Sequence, residues 1–286
     1  MKKILITFLA LFVANISLAE TRLDQMVAPG FHPVTFEDPR NTTELRPVFV
    51  HHNIDDDFVT GGGDVQIYAL QARYAINDDW SIIATKDGYV DFNPKAGVPK
   101  DNGWANVEAG LKYAFYQDAQ AGNIASVQLR YEFPWGDEEV LQGNGDGIVH
   151  PSLSAAFALD SNFTLMAGSG MRIAVDGDDS TLLDLDAQLD YRIDMDGWSL
   201  HPLIGTSVIH VFDGGRRLPI ADEGQDFFNF GASESDGENM VIGAAGLRAK
   251  FCNGVETGFA YQFPYNSQKG NRIIDDRWTA DVIFRF

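Results

Sequence analysis

Cysteine is nearly absent. Cys252 is the single one among 286 residues, which excludes an intramolecular disulfide and a thiolate zinc cluster alike. Basic residues are scarce too. Against 41 Asp and Glu the chain holds 21 Lys and Arg, a formal net charge of −20, and so acidic a chain repels phosphate backbones; no nucleic-acid partner is expected. After residue 19 no apolar run approaches the roughly 20 residues of a spanning helix, so membrane insertion would require a closed sheet. The six histidines show no zinc-ligand spacing, His51-His52 puts neighbours on opposite faces of a strand, and the glycines form no nucleotide-binding fingerprint. No metal and no cofactor is expected.

Lys2 and Lys3, the apolar run from Ile4 to Ile16 and the small residues at Ser17-Leu18-Ala19 compose a cleavable secretory signal over residues 1–19. Losing its two lysines takes the net charge from −20 to −22. Residues 20–45, with Pro29, Pro33 and Pro39, show no strand pattern; they either enter a lumen as a plug or lie free in the periplasm. The remainder, 46–286, alternates.

Leu183, Leu185, Ala187, Leu189 and Tyr191 interleave with Asp184, Asp186, Gln188, Asp190 and Arg192, and the same period of two recurs at 107–115, 127–133 and 255–263. It predicts about twelve strands, at 46–53, 64–76, 80–89, 104–116, 123–133, 149–159, 163–175, 182–193, 198–212, 240–251, 255–263 and 277–286. A secreted sandwich and an outer-membrane barrel both satisfy such alternation. Loop lengths favour the barrel. Short connections such as 77–79, 160–162 and 252–254 alternate with long Gly/Asp-rich ones such as 55–63, 87–103, 135–148 and 213–239, the asymmetry of periplasmic turns and external loops. The expected fold is all-β, an antiparallel transmembrane β-barrel in the bacterial outer membrane.

In the terminal strand Trp278, Ala280, Val282, Phe284 and Phe286 share one face, which resembles the assembly signal of outer-membrane proteins; Trp278, Phe284 and Phe286 are its candidate residues, and the barrel-assembly machinery the implied partner. From 102 to 159 the chain runs through Gly103-Trp104-Ala105-Asn106-Val107, Gly110-Leu111-Lys112-Tyr113, Phe133-Pro134-Trp135-Gly136-Asp137 and Gly143-Asn144-Gly145-Asp146-Gly147. This order resembles the outer-membrane transporters of the MetA-pathway of phenol degradation family. The resemblance implies a porin-like role in uptake of small solutes, hydrophobic or aromatic ones included, and carries over no binding residues.

Read as lumen-facing, the polar sides of the strands carry Arg73, Lys112, Arg130, Arg172, Arg192, Arg248, Lys250 and Arg285 opposite Glu108, Glu132, Asp184, Asp186, Asp190, Glu256 and Asp281. Facing acids and bases can set a transverse selectivity field. They can also simply pair, since about twelve strands enclose less space than the roughly 16 to 18 of porins. Loop acids, among them Asp179, Asp222, Glu223 and Asp226, read either as solvated surface or as divalent-ion bridges to lipopolysaccharide. The longest loop holds an apolar cluster around Phe227, Phe228 and Phe230, suited to a lid, to gathering solutes or to rim packing.

Two alternatives to transport stand beside it. One is a structural or adhesin-like barrel. The other is a lipid hydrolase, because His150-Pro151-Ser152 puts imidazole and hydroxyl on one strand face. That face points inward, away from lipid acyl chains, and no partner that would orient the histidine stands out in the sequence, so a non-enzymatic channel is expected.

Overall fold

The structure, a computed structural model, describes residues 21–265 and 272–286. The secretory signal expected over 1–19 lies outside the described residues, as does part of the last long loop.

The alternating segments form a closed antiparallel barrel of twelve strands. In chain order these are β1 (Glu44–Ile54), β2 (Gly63–Ala75), β3 (Trp80–Lys86, resuming as Tyr89–Pro94), β4 (Asp101–Trp104, resuming as Val107–Asp118), β5 (Asn123–Phe133) and β6 (Ile148–Ala158). Then follow β7 (Phe163–Ala174), β8 (Thr181–Tyr191, resuming as Ile193–Met195), β9 (Trp198–Asp213), β10 (Asn239–Phe251), β11 (Val255–Pro264) and β12 (Asp276–Arg285). Each strand pairs with its neighbours in sequence, and β1 pairs with both β2 and β12, so no edge is left open.

Turns are short at one end of the barrel, at 76–79, 119–122, 159–162, 196–197 and 252–254, and longer at the other, where 214–238 is the longest. Strands β3 and β4 reach farther than alternation predicts. At Asp87–Gly88 the β2 ladder is interrupted; Asp87 takes the Leu70 N–H at 2.8 Å, Gly88 adopts φ +119°, and pairing then resumes through Pro94. The connection expected over 87–103 shrinks to 95–100.

Leu129, Leu153, Leu185, Ile204 and Leu247 stand exposed on the outer face, and among the described residues no second sheet covers them. Aromatic pairs ring both ends, Trp80–Tyr113 and Phe163–Tyr191 by the short turns, Phe133–Trp135 and Tyr261–Phe263 by the long loops. An apolar belt between two aromatic girdles matches a bilayer. The interior has two zones. Toward the long loops Val48, Val50, Ile54, Val65, Ile67 and Phe92 face inward and pack with Phe227 and Phe230. The charged side chains occupy the rest, together with residues 21–43. The expectation of a polar inner face is therefore corrected for the outer halves of β1 to β3, where the inward positions are apolar and the outward ones, such as Asn53, Gln66 and Asp91, polar, so the alternation is reversed.

Candidate functional site

Residues 21–43 run through the barrel without regular secondary structure, so their peptide groups need partners from the wall. The inward side chains supply them. Gln188 Oε1 accepts from Gly30 N and Glu256 Oε1 from Ala28 N, each at 2.8 Å. Arg46 and Arg248 both donate to Pro29 O, at 3.0 and 3.1 Å, Gln71 donates to Pro33 O at 2.8 Å, and Arg130 donates to Val34 O at 2.6 Å. Lys112 donates to Asp38 O and Arg40 O, and Lys250 to Asp24 O and Met26 O.

The segment also brings its own charges. Glu37 pairs with Arg73 at 2.7 Å and with Lys112 at 2.9 Å; His32 Nδ1 lies 3.1 Å from Asp186. Phe31 sits against Gly205 and Phe36 against Gly168, where a Cβ would fall 2.2 and 3.0 Å from the rings. Absent side chains in the wall thus make the seats for two aromatic ones.

The predicted lumen residues are mostly buried and paired. Arg130 holds Glu108 at 2.9 Å, Arg172 holds Asp184 at 2.7 Å, and Arg248 holds Glu256 at 2.9 Å and also Asp281. Lys86 pairs with Glu132, and Arg285 with Glu256 and Glu44. Arg192 departs from the expectation: it occupies the break in β8 at the short-turn rim and pairs with the exposed Asp194. Sequence reasoning omitted Arg46 and Arg277, inward by the same alternation that placed Asp281, and Lys86. It also omitted Glu37, Asp38 and Arg40, whose aperiodic segment gives no such signal.

Above this polar zone loop 214–238 folds into the mouth. Phe227 and Phe230 are buried, Phe58 stacks on Phe230 at 6.2 Å, and Arg277 lies 5.6 Å over the Phe227 ring. Asp226 pairs with Arg277 at 2.6 Å. Burial would raise the Asp226 carboxyl, but the Arg277 charge, helped by His32 and Arg172, holds it at about 2. Glu223 accepts from the backbone N–H of Gly224, Phe230 and Ala232 and from Ser180, which fixes the loop's path. Asp179, Asp222, Glu223 and Asp226 are thus buried, which corrects the reading of these loop acids as solvated surface.

Beneath the loop is an apolar cavity of about 180 Å³ walled by Val50, Ile54, Phe58, Ile67, Phe92 and Phe228. Gln225 and Arg277 reach its floor, and Gln225 Nε2 has no partner among the described residues. A buried donor without a partner is costly, so this cavity suits an apolar molecule bearing one acceptor group.

His150 and Ser152 face inward as alternation indicates, and an orienting partner does exist: Glu108 Oε2 lies 3.0 Å from His150 Nδ1. The expectation of no such partner is corrected. The pair is nevertheless not coupled. Arg130 donates to His150 Nε2 at 3.0 Å, and Ser152 donates to Gln128 at 2.8 Å.

A family model, the autotransporter β-domain, matches residues 125–262. An outer membrane channel from Pseudomonas putida F1 is 14% identical, with 91% of this chain and 100% of that one aligned at a TM-score of 0.58. The NanC porin is 10% identical over 85% and 100%, with a TM-score of 0.52, and the β-domain of the Bordetella autotransporter BrkA 15% identical over 87% and 100%, with a TM-score of 0.51. No curated protein matches by sequence. Closure, outward apolar belt and these likenesses agree: the chain has the antiparallel β-barrel fold of outer-membrane channels, porins and autotransporter β-domains.

Proposed function

We propose that the protein resides in the bacterial outer membrane as a channel that collects small apolar or aromatic solutes at its outer mouth, with residues 21–43 closing the lumen until they are displaced. The observation that carries this reading is the apolar cavity of about 180 Å³ directly above a polar lumen filled by the chain's own N-terminal segment. A cavity of about 150 Å³ lined by Leu, Ile and Phe is known to take benzene, so one ring fits. The resemblance to the MetA-pathway of phenol degradation family supports the same solute class. Lipopolysaccharide around the acidic loops and the assembly machinery reading Trp278, Phe284 and Phe286 complete the partners in this proposal.

Planar-bilayer recordings test it. The full chain is expected to be silent or nearly so, and a variant lacking residues 21–43 to give discrete conductance steps, because water replaces the segment and hydrates the exposed charges. A shortened variant that keeps the compact barrel's gel mobility yet conducts nothing would overturn the channel and favour a structural barrel.

A further inference from the structure

Transport makes no use of three side chains that stand in a hydrogen-bonded row at the short-turn end. Ser199 and His201 lie two residues apart on the inner face of β9, and Asp190 of β8, whose register partner is Leu203, is the diagonal neighbour of His201. Ser199 Oγ is 2.9 Å from His201 Nε2, and His201 Nδ1 is 3.0 Å from Asp190 Oδ1. An ionised carboxylate only accepts, so Nδ1 carries the proton and Nε2 is left to accept from the serine hydroxyl. His201 and Asp190 are buried; Ser199 is half-buried and lines a vestibule of about 750 Å³ at this end of the barrel.

Two other buried histidines also meet carboxylates, and neither is arranged this way. Arg130 blocks Nε2 of His150. His32 meets both Asp186 and Ser207 through Nδ1, and its Nε2 has no partner among the described residues. Of the three, His201 is the one that offers Nε2 to a serine while a carboxylate holds Nδ1.

Cationic donors border the same space. Lys250 lies opposite Ser199 in the β9–β10 register and donates to Asp24 O and Met26 O. Arg192 holds Asp194 through Nε and Nη2, while its Nη1 has no partner among the described residues. Both side chains line the vestibule together with Ser199, and donors held near developing negative charge are what an acyl-transfer site needs.

We propose that Ser199 and His201, positioned by Asp190, form a hydrolytic site for short-chain carboxylic esters that enter the vestibule. Ser199 Oγ bonds to the ester carbonyl carbon, its proton passes to His201 Nε2, and the carbonyl π pair moves onto oxygen beside the cationic donors. Collapse restores the carbonyl and breaks the bond to the alkoxy oxygen, which takes the proton from His201 and departs as alcohol. Water then attacks the acyl-serine, gives a proton to His201 and releases the carboxylic acid as the serine hydroxyl re-forms; ester plus water become acid plus alcohol. The lining is mixed, with Arg40, Asn41, Asp78, Gln117 and Lys250 beside Ile124, Trp198 and Val255, and polar groups on every side favour short acyl chains over lipid tails.

The test uses the purified full chain in detergent with a fluorophosphonate probe and p-nitrophenyl acetate. Wild type is expected to be labelled once, at Ser199 by peptide mapping, and to hydrolyse the ester; Ser199→Ala and His201→Gln lose both, and Ser152→Ala keeps both. Asp190→Asn should lower kcat by on the order of 10³-fold with KM little changed, a split that a purely structural role would not produce. Heat-dependent gel mobility of every variant separates loss of chemistry from loss of fold. Folded wild type that stays unlabelled and no faster than Ser199→Ala would overturn the proposal, as would labelling at Ser152 with Ser199 untouched.

Discussion

Asp281 shows what one residue carries in a filled lumen. Its side chain is buried and accepts from both Arg46 and Arg248, so removing it leaves Arg46 without its carboxylate away from water and Arg248 with Glu256 alone. Breaking such a pair costs about 3–5 kcal/mol, far more than the pair itself contributes. Asp281→Ala should therefore lower the temperature at which the compact form converts to the unfolded form on gels; no shift would mean that water already reaches these cations. At the outer end Asp179 offers a pH test. Burial raises its carboxyl from 3.8 to about 7 even though Arg217, at 2.8 Å, pulls the other way. The folded loop thus binds the proton more tightly than the opened one. Its stabilisation is complete below pH 3.8 and is lost as pH rises through about 7. Protease cleavage in loop 214–238 should increase between about pH 5 and 8, and Asp179→Asn should flatten that increase.

At the scale of elements, the wall and the N-terminal segment are complementary. Gly168 leaves room for Phe36, and a Cβ there would meet the ring at 3.0 Å without touching backbone. Gly168→Leu should loosen the segment while sparing the barrel. A cysteine replacing Ser152 reports on this once Cys252, which is exposed, has been removed. Ser152 lies among Arg130 and Gln128 behind the segment, so the thiol should resist a water-soluble reagent in the otherwise native chain and react when Gly168→Leu is added or residues 21–43 are deleted. Equal labelling in all three would mean that the segment does not close the lumen.

For the whole molecule, closure is the dominant fact, because a sheet without edges is the only sheet a bilayer tolerates. Phe286 follows directly on the strand that closes the barrel, and at 83% exposure it does not contribute to the core. Phe227 is buried in the mouth under Arg277 of β12, but it belongs to loop 214–238 and to no strand of the β1–β12 seam. Phe286→Ala should reduce the amount of protein recovered in outer membranes. Phe227→Ala should leave assembly intact and weaken binding of a small aromatic solute, through lost ring area in the cavity. Equal assembly defects in both would count against separate roles for the seam and the mouth.

The sequence by itself determined the number of strands, which side chains share a face, and the ends at which turns are short. Period two is a local property: once Leu185 faces out, Asp184 and Asp186 must face in, whatever else the chain does. It also held the alternation that places Arg277 beside Asp281 and the Ser199–His201 spacing, the same two-residue offset as His150–Ser152. Only the tertiary structure decided what fills the barrel and which offset is coupled. Glu37 meets Lys112 75 residues away and Ala28 meets Glu256 228 residues away, and both belong to an aperiodic stretch whose partners come from the finished wall. Likewise Arg130, brought from the adjacent strand, occupies His150, whereas Asp190 is brought to His201 with its second nitrogen left for Ser199. Such pairings depend on which strands close against one another and on what lies inside them, and neither is a property of neighbouring residues.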